Sequence, residues 1–283
     1  MQRSAKPPLH CPVHTRIGNS ATSGASVEVL AERWPGGMMT KVAGDLTDAP
    51  ASTRRRPAPF VVTFYRSAIA KKWLMAISGI ILLGYVLAHL VGNLKVFLGK
   101  DDINHYAEWL RELGEPALPH EVLLWGMRIV LLGAFVIHIV AAYQLTMMNR
   151  RARPQAYRSP RDYVAADFAS RTMRWTGVIV LLFVIFHLLD LTFGTVNPGY
   201  ESGNVYRNMI ASFERVPVAI AYIVANLALG IHIFHGAWSM FQSLGLNNPR
   251  YNAWRRYFAM GFAGAITTGN VAIPLIITTG IYP

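Results

Sequence analysis

The chain has a single cysteine, Cys11, in 283 residues. That excludes an intrachain disulfide, a four-thiolate iron–sulfur cluster and a thiolate zinc site. Charge is scarce as well: 15% of residues are Asp, Glu, Lys or Arg, against 53% hydrophobic. With a mean hydropathy of +0.30, the composition is too apolar for an ordinary soluble domain. Acids are the rarer sign, 15 against 27 basic residues, which leaves a net charge of +12. On a soluble protein such a surplus suggests nucleic acid; here it sorts by loop, and no nucleic-acid partner is expected. Residues 1–60 lack any apolar period and are rich in Ser, Thr, Pro, Gly and Arg. They are expected to be a disordered extension, and no signal-peptide hydrophobic region interrupts them.

What the chain does have is long apolar runs. Five segments, near 73–95, 122–147, 175–196, 217–243 and 257–281, are each about 20 residues or longer, enough to cross a bilayer. We number them spans I to V. They predict an all-α membrane protein with one transmembrane domain over 61–283. Span V is diluted by Gly, Thr, Asn270 and Pro274, which membrane helices tolerate better than soluble ones do. The charges then set a direction. Arg54, Arg55, Arg56, Arg66, Lys71 and Lys72 precede span I. The II–III loop carries Arg150, Arg151, Arg153, Arg158, Arg161, Arg171 and Arg174 against Asp162 and Asp167, and the IV–V loop carries Arg250, Arg255 and Arg256. The I–II connection holds Asp101, Asp102, Glu108, Glu112, Glu115 and Glu121 instead. The positive-inside rule puts the N-terminus, the II–III loop and the IV–V loop in the cytoplasm, and the C-terminus outside.

Four histidines lie inside these apolar spans, one in each of the first four: His89, His138, His187 and His232. An ionisable side chain within a membrane helix points to a functional site. A helix rises about 1.5 Å per residue. On that scale His89 lies about 24 Å along span I and His187 about 18 Å along span III, both toward the outside. His138 lies about 24 Å along span II and His232 about 22 Å along span IV, both toward the inside. Only the pairing of His89 with His187 and of His138 with His232 fits two such levels. Two imidazoles per iron, through their neutral ring nitrogens, suggest two haems about 15 Å apart along the membrane normal. An iron with both axial positions filled suits electron transfer rather than oxygen chemistry. A single buried histidine more simply hydrogen-bonds a carbonyl or relays a proton; four at two matched levels favour the haem reading. His235 shares much of the face of His232, so depth alone leaves either as the fourth ligand.

The positions ten residues before the ligands pass the level of the opposite pair. They are Gly79 (after Ser78), Arg128, Gly177 and Tyr222. Glycine there leaves room for a flat macrocycle, although close helix packing uses glycine in the same way. Arg128, inside span II on the outer side, needs a partner, which an outer-haem propionate or Asp190 would supply. Arg174, at the inner mouth of span III, is a candidate for the inner-haem propionates, or else a snorkelling arginine.

The stretches around the histidines resemble one family. They are KKWLMAISG at 71–79, AHLVGN at 88–93, VIHIVAAYQ at 136–144, RWTG at 174–177, FHLLD at 186–190 and HIFHGAWS at 232–239. The family is the five-helix, dihaem cytochrome b subunit of succinate dehydrogenase and fumarate reductase, and the resemblance covers about residues 64–280. It implies haem ligation by His89 with His187 and by His138 with His232. The pattern of His232, Gly236 and Trp238 favours His232 over His235. It further implies two b haems, a flavoprotein subunit with FAD, an iron–sulfur subunit on the cytoplasmic face, a bacterial plasma membrane, and a quinone, menaquinone in this family type. For the quinone, the outer I–II region offers Asn93, His105, Tyr106 and Glu108, which serve equally well as a solvated amphipathic helix. Competing readings are the cytochrome b anchor of nitrate reductase or formate dehydrogenase, which takes two ligands from one helix, and a histidine-relay transporter. Only span IV here has two histidines, too close in sequence to serve two levels.

Overall fold

The computed structural model describes residues 59–152, 166–246 and 248–281. Residues 1–58 of the extension expected over 1–60, and the arginines of the II–III loop from Arg153 to Arg161, lie outside the described residues. Among the described residues every regular element is helical: α1 Phe60–Arg66, α2 Ala68–Asn93, α3 Lys100–Glu112, α4 Val122–Arg151, α5 Ala166–His187, α6 Val205–Phe213, α7 Val216–Ser243 and α8 Asn252–Thr278. Five stretches, Ala68–Leu98, Val122–Arg151, Thr172–Thr192, Val216–Ser243 and Asn252–Thr278, are long and apolar enough to cross a membrane. The all-α, five-span expectation therefore holds, and the chain is a multi-pass membrane protein.

Local chemistry explains where the helices differ from the apolar runs. Span I begins at Ala68 rather than near Trp73, because Ser67 is extended and its hydroxyl accepts from the Ala70 N–H at 3.1 Å. This N-cap lets Lys71 and Lys72 join the first turns. Span V begins at Asn252, since Asn252 to Arg256 extend the helix into polar surroundings. Pro217 stands in the first turn of α7, where a missing N–H costs nothing. Span III ends its α-helix at His187 and passes into a π-helical turn, Leu188–Thr192. Two short helices escaped the hydropathy reading, α1 before span I and α6 after span III. Neither is long enough to show a periodic apolar run.

Spans pack as neighbours in sequence: α2 lies along α4, α5 along α7 and α7 along α8, with α2 also touching α7 and α8. Many large apolar side chains of α4 and α5, such as Ile129, Leu132 and Leu182, are more than 60% exposed. In a bilayer that surface faces hydrocarbon. At the end away from Lys71, Arg150 and Arg255, α3 and α6 close the bundle. The Asn104 side chain of α3 donates to Asn204 Oδ1 at 3.1 Å and accepts from the Tyr206 N–H at 3.1 Å, tying α3 to the cap of α6. Beneath this junction Val96, Ile103, Met209, Phe213, Tyr222, Ile273 and Ile277 form a buried cluster. A second cluster, Leu90, Ile233, Ala263 and Ile266, joins α2, α7 and α8 deeper in the bundle.

Close approach of α7 to α8 depends on Gly230, where an added Cβ would overlap the Thr267 hydroxyl. Small residues at such crossings let membrane helices pack by contact alone. Gly230→Val is therefore expected to cost about 1–3 kcal/mol through overpacking. Unfolding in detergent should show it as a lowered midpoint, and an unchanged midpoint would mean that α8 shifts at no cost.

Candidate functional site

Within the bundle the four histidines stand as two pairs on two levels. The His138 and His232 rings have centroids 6.3 Å apart, and those of His89 and His187 are 5.8 Å apart. Each pair takes one residue from the α2–α4 hairpin and one from the α5–α7 hairpin. The structure thus brings together the same partners that helix rise and direction predict.

At the first level each imidazole is held by the helix beside it. Ser78 Oγ donates to the Leu74 carbonyl at 2.7 Å and lies 3.3 Å from His138 Nδ1. A hydroxyl has one proton. Because Ser78 gives it to the backbone, the imidazole N–H is assigned to Nδ1, which donates to Ser78 Oγ. Thr176 repeats the arrangement on α5. Its hydroxyl reaches the Thr172 and Met173 carbonyls, each at 3.1 Å, and lies 3.3 Å from His232 Nδ1. In both rings Nδ1 is engaged and Nε2 carries the lone pair. The neighbouring glycines make room for this. A Cβ at Gly79 would sit 3.6 Å from His138 Cε1, and one at Gly177 would sit 3.5 Å from His232 Cε1. At both glycines the nearest group is an imidazole.

The second level is built differently. Tyr85, one turn before His89, lies nearly parallel to its ring at 5.3 Å. His187 Nδ1 is 3.4 Å from the Tyr222 hydroxyl, which donates to Asp190 Oδ2 at 3.0 Å. Asp190 is fully buried, carried inward by the π-helical turn that follows His187. Ser212 Oγ, from the end of α6, also donates to Oδ2, and Arg215 Nη2 reaches Oδ1. Arg215 is itself fixed by the Val196 carbonyl at 2.8 Å and the Ala211 carbonyl at 3.2 Å.

This network corrects one expectation. Asp190 is the partner of Arg215 and not of Arg128, which instead stacks its guanidinium 4.8 Å from the Trp125 ring centre. Sequence distance alone could not show that α6 returns Ser212 and Arg215 to the level of Asp190. His235 Nδ1 is buried and has no hydrogen-bond partner among the described residues. Arg174 is exposed at the start of span III. Of the outer residues, the Tyr106 ring packs onto Gly92 beside Asn93. His105 and Glu108 are exposed, and Glu108 is paired with Arg111 at 2.8 Å. Thr176 is the residue that sequence reasoning missed. Its signal was present: a hydroxyl residue followed by glycine stands eleven positions before both His89 and His187.

Among the described residues no group of three or more His, Cys, Asp or Glu side chains converges on one point. Residues 150–271 match the model of a protein family described as the succinate dehydrogenase/fumarate reductase transmembrane subunit. No curated protein and no solved structure matches the chain. The matched stretch holds His187, His232, Thr176 and the Asp190 network, while His89 and His138 precede it. Removing the buried ion pair tests how much the second level depends on it. Arg215→Met leaves the Asp190 carboxylate without a counter-ion and is expected to cost about 3–5 kcal/mol. Thermal unfolding in detergent would register that loss, and a change within error would mean that water reaches Asp190.

Proposed function

We propose that this chain, whose residues 150–271 match the model of the succinate dehydrogenase/fumarate reductase transmembrane-subunit family, is the membrane anchor and electron-transfer subunit of a succinate:quinone oxidoreductase, and holds two b haems. The observation that carries this reading is the spacing of the two histidine pairs. Imidazole–metal bonds are about 2 Å long, as at zinc, so one ion shared by two rings separates their centroids by about 6 Å. The two pairs stand at 6.3 Å and 5.8 Å. The donor chemistry agrees. Ser78 and Thr176 engage Nδ1 of the inner pair and leave Nε2 as the free lone pair, the usual outer-shell device for orienting a ligating histidine.

His138 with His232 would hold the inner haem, and His89 with His187 the outer one. When bound, the haems supply one-electron carriage across the apolar layer, which no side chain of this chain can provide. The protein's own part would be to hold the four imidazoles, keep water from the pairs and neutralise propionates, with Arg128 and Arg174 as candidate cations at the two levels. The helix ends bearing Lys71, Lys72, Arg150, Arg255 and Arg256 would face the cytoplasm and receive an iron–sulfur subunit, itself bound to a flavoprotein with FAD. Orientation in a bacterial plasma membrane, with the C-terminus outside, follows from the same charge asymmetry. A quinone, menaquinone by resemblance, would accept electrons near the outer pair. Asn93 and Tyr106 lie together at the end of α2, while the Glu108–Arg111 ion pair would have to open before Glu108 could serve a headgroup.

A dithionite-reduced minus oxidised spectrum of the purified protein should show two b-type haems per chain. His138→Ala and His232→Ala should each remove the same haem, and His89→Ala and His187→Ala the other. In the assembled complex, His138→Ala should leave succinate oxidation by an artificial acceptor intact and abolish quinone reduction. Absence of haem would overturn the reading in favour of a proton relay. Loss of the same haem in the His138 and His187 variants would overturn the pairing.

A further inference from the structure

The two levels differ in what stands behind the imidazole. At the inner level the hydroxyls of Ser78 and Thr176 donate their hydrogen bonds to neutral backbone carbonyls. At the outer level the Tyr222 hydroxyl donates its hydrogen bond to the Asp190 carboxylate. This carboxylate is fully buried, and both its oxygens are engaged. A phenol that donates to an anion becomes a stronger acceptor at its own oxygen, because hydrogen bonds in series polarise one another. His187 Nδ1–H faces that oxygen at 3.4 Å.

From this juxtaposition we propose that Tyr222, polarised by Asp190, sets the redox potential of the outer haem through the His187 imidazole and leaves the inner haem untouched. The inference rests on the dihaem reading above. A stronger acceptor at Nδ1–H gives the imidazole more anionic character and makes Nε2 a better donor. Such a ligand stabilises the ferric state over the ferrous one, and second-shell hydrogen bonding is one of the levers by which proteins tune such potentials. Only an electron is exchanged at the iron: the Nδ1 proton stays on His187 and the phenolic proton stays on Tyr222. Tyr222 and Asp190 are thus positioning residues, acting on the iron only through His187. Ser212 and Arg215 hold the carboxylate so that its second oxygen points at the phenol.

The geometry of the clamp supports a fixed function rather than a packing accident. A π-helical turn commonly marks a functional position in a helix, and this one begins directly after the ligand and carries Asp190. The Tyr222 ring is further held edge-on by Phe183 and Phe213, with centroids at 5.0 Å and 4.9 Å. Its hydroxyl therefore has little freedom to leave the line from Asp190 to His187.

The test is a potentiometric titration of the purified haem-loaded protein followed by optical and electron paramagnetic resonance spectra. Two components are expected in the unaltered protein. In Tyr222→Phe the component lost on His187→Ala should shift to a more positive midpoint with a changed low-spin signal, and the component lost on His138→Ala should keep both its midpoint and its signal. Asp190→Asn keeps the phenol and removes the charge, so it should move the same component in the same direction by a smaller amount. If Tyr222→Phe no longer retains two haems, the Asp190→Asn titration decides alone. Unshifted midpoints, or equal shifts of both components, would overturn the inference while leaving the dihaem reading standing. An unaltered protein without two haem components would overturn both.

Discussion

An imidazole has two nitrogens, and inside an apolar bundle the first must be tied down before the second can act. The bond from Nδ1–H to a hydroxyl on the next helix is the constraint on which the rest of this structure depends. It removes a polar group that would otherwise be costly to bury, fixes the ring's rotation and selects the tautomer that leaves Nε2 with a lone pair. Gly79 and Gly177 lie against the rings that the neighbouring hydroxyls draw in. The pairing of α2 with α4 and of α5 with α7 follows from the bond, because each tie joins two consecutive spans.

The outer level meets the same requirement with more parts. A lone carboxylate in an apolar layer would be untenable. Asp190 is acceptable because Arg215, Ser212 and Tyr222 answer both of its oxygens. This explains why the helix after His187 loosens by one residue, and why α6, which crosses no membrane, belongs to the bundle. Its last turn and the residues after it deliver the clamp, and the Asn104–Asn204 junction anchors its first turn to α3.

Much of the fold was legible because membrane-spanning helices announce themselves by length and apolarity, and because charge sorted by loop gives them direction. Direction with rise per residue was enough to group His89 with His187 and His138 with His232. The remainder depended on how helices turn about their own axes, which spacing does not encode. Ser78 came to notice only as the neighbour of Gly79, and Thr176, in the same position before Gly177, was overlooked. Arg128 and Asp190 share the outer level, so depth suggested a pair. Arg128 meets Trp125 on its own helix instead, and Asp190 is met by Ser212 at the end of α6, Arg215 just after it and Tyr222 of α7. His232 and His235 looked equivalent by face, and the hydroxyl of Thr176 distinguishes them.

At the first level each histidine and the residue that holds it lie on one hairpin, Ser78 with His138 and Thr176 with His232. As the chain is synthesised, the first half-site is complete once the second span has entered the bilayer, and the second half-site once the fourth has. Assembly is then the docking of two preformed hairpins, with few rotamers left to choose, in place of a search among four independent helices. Each tie closes a loop of about 60 residues or fewer, so the chain entropy opposing it grows only slowly with that length. The order of the spans along the chain is thus also an order of assembly.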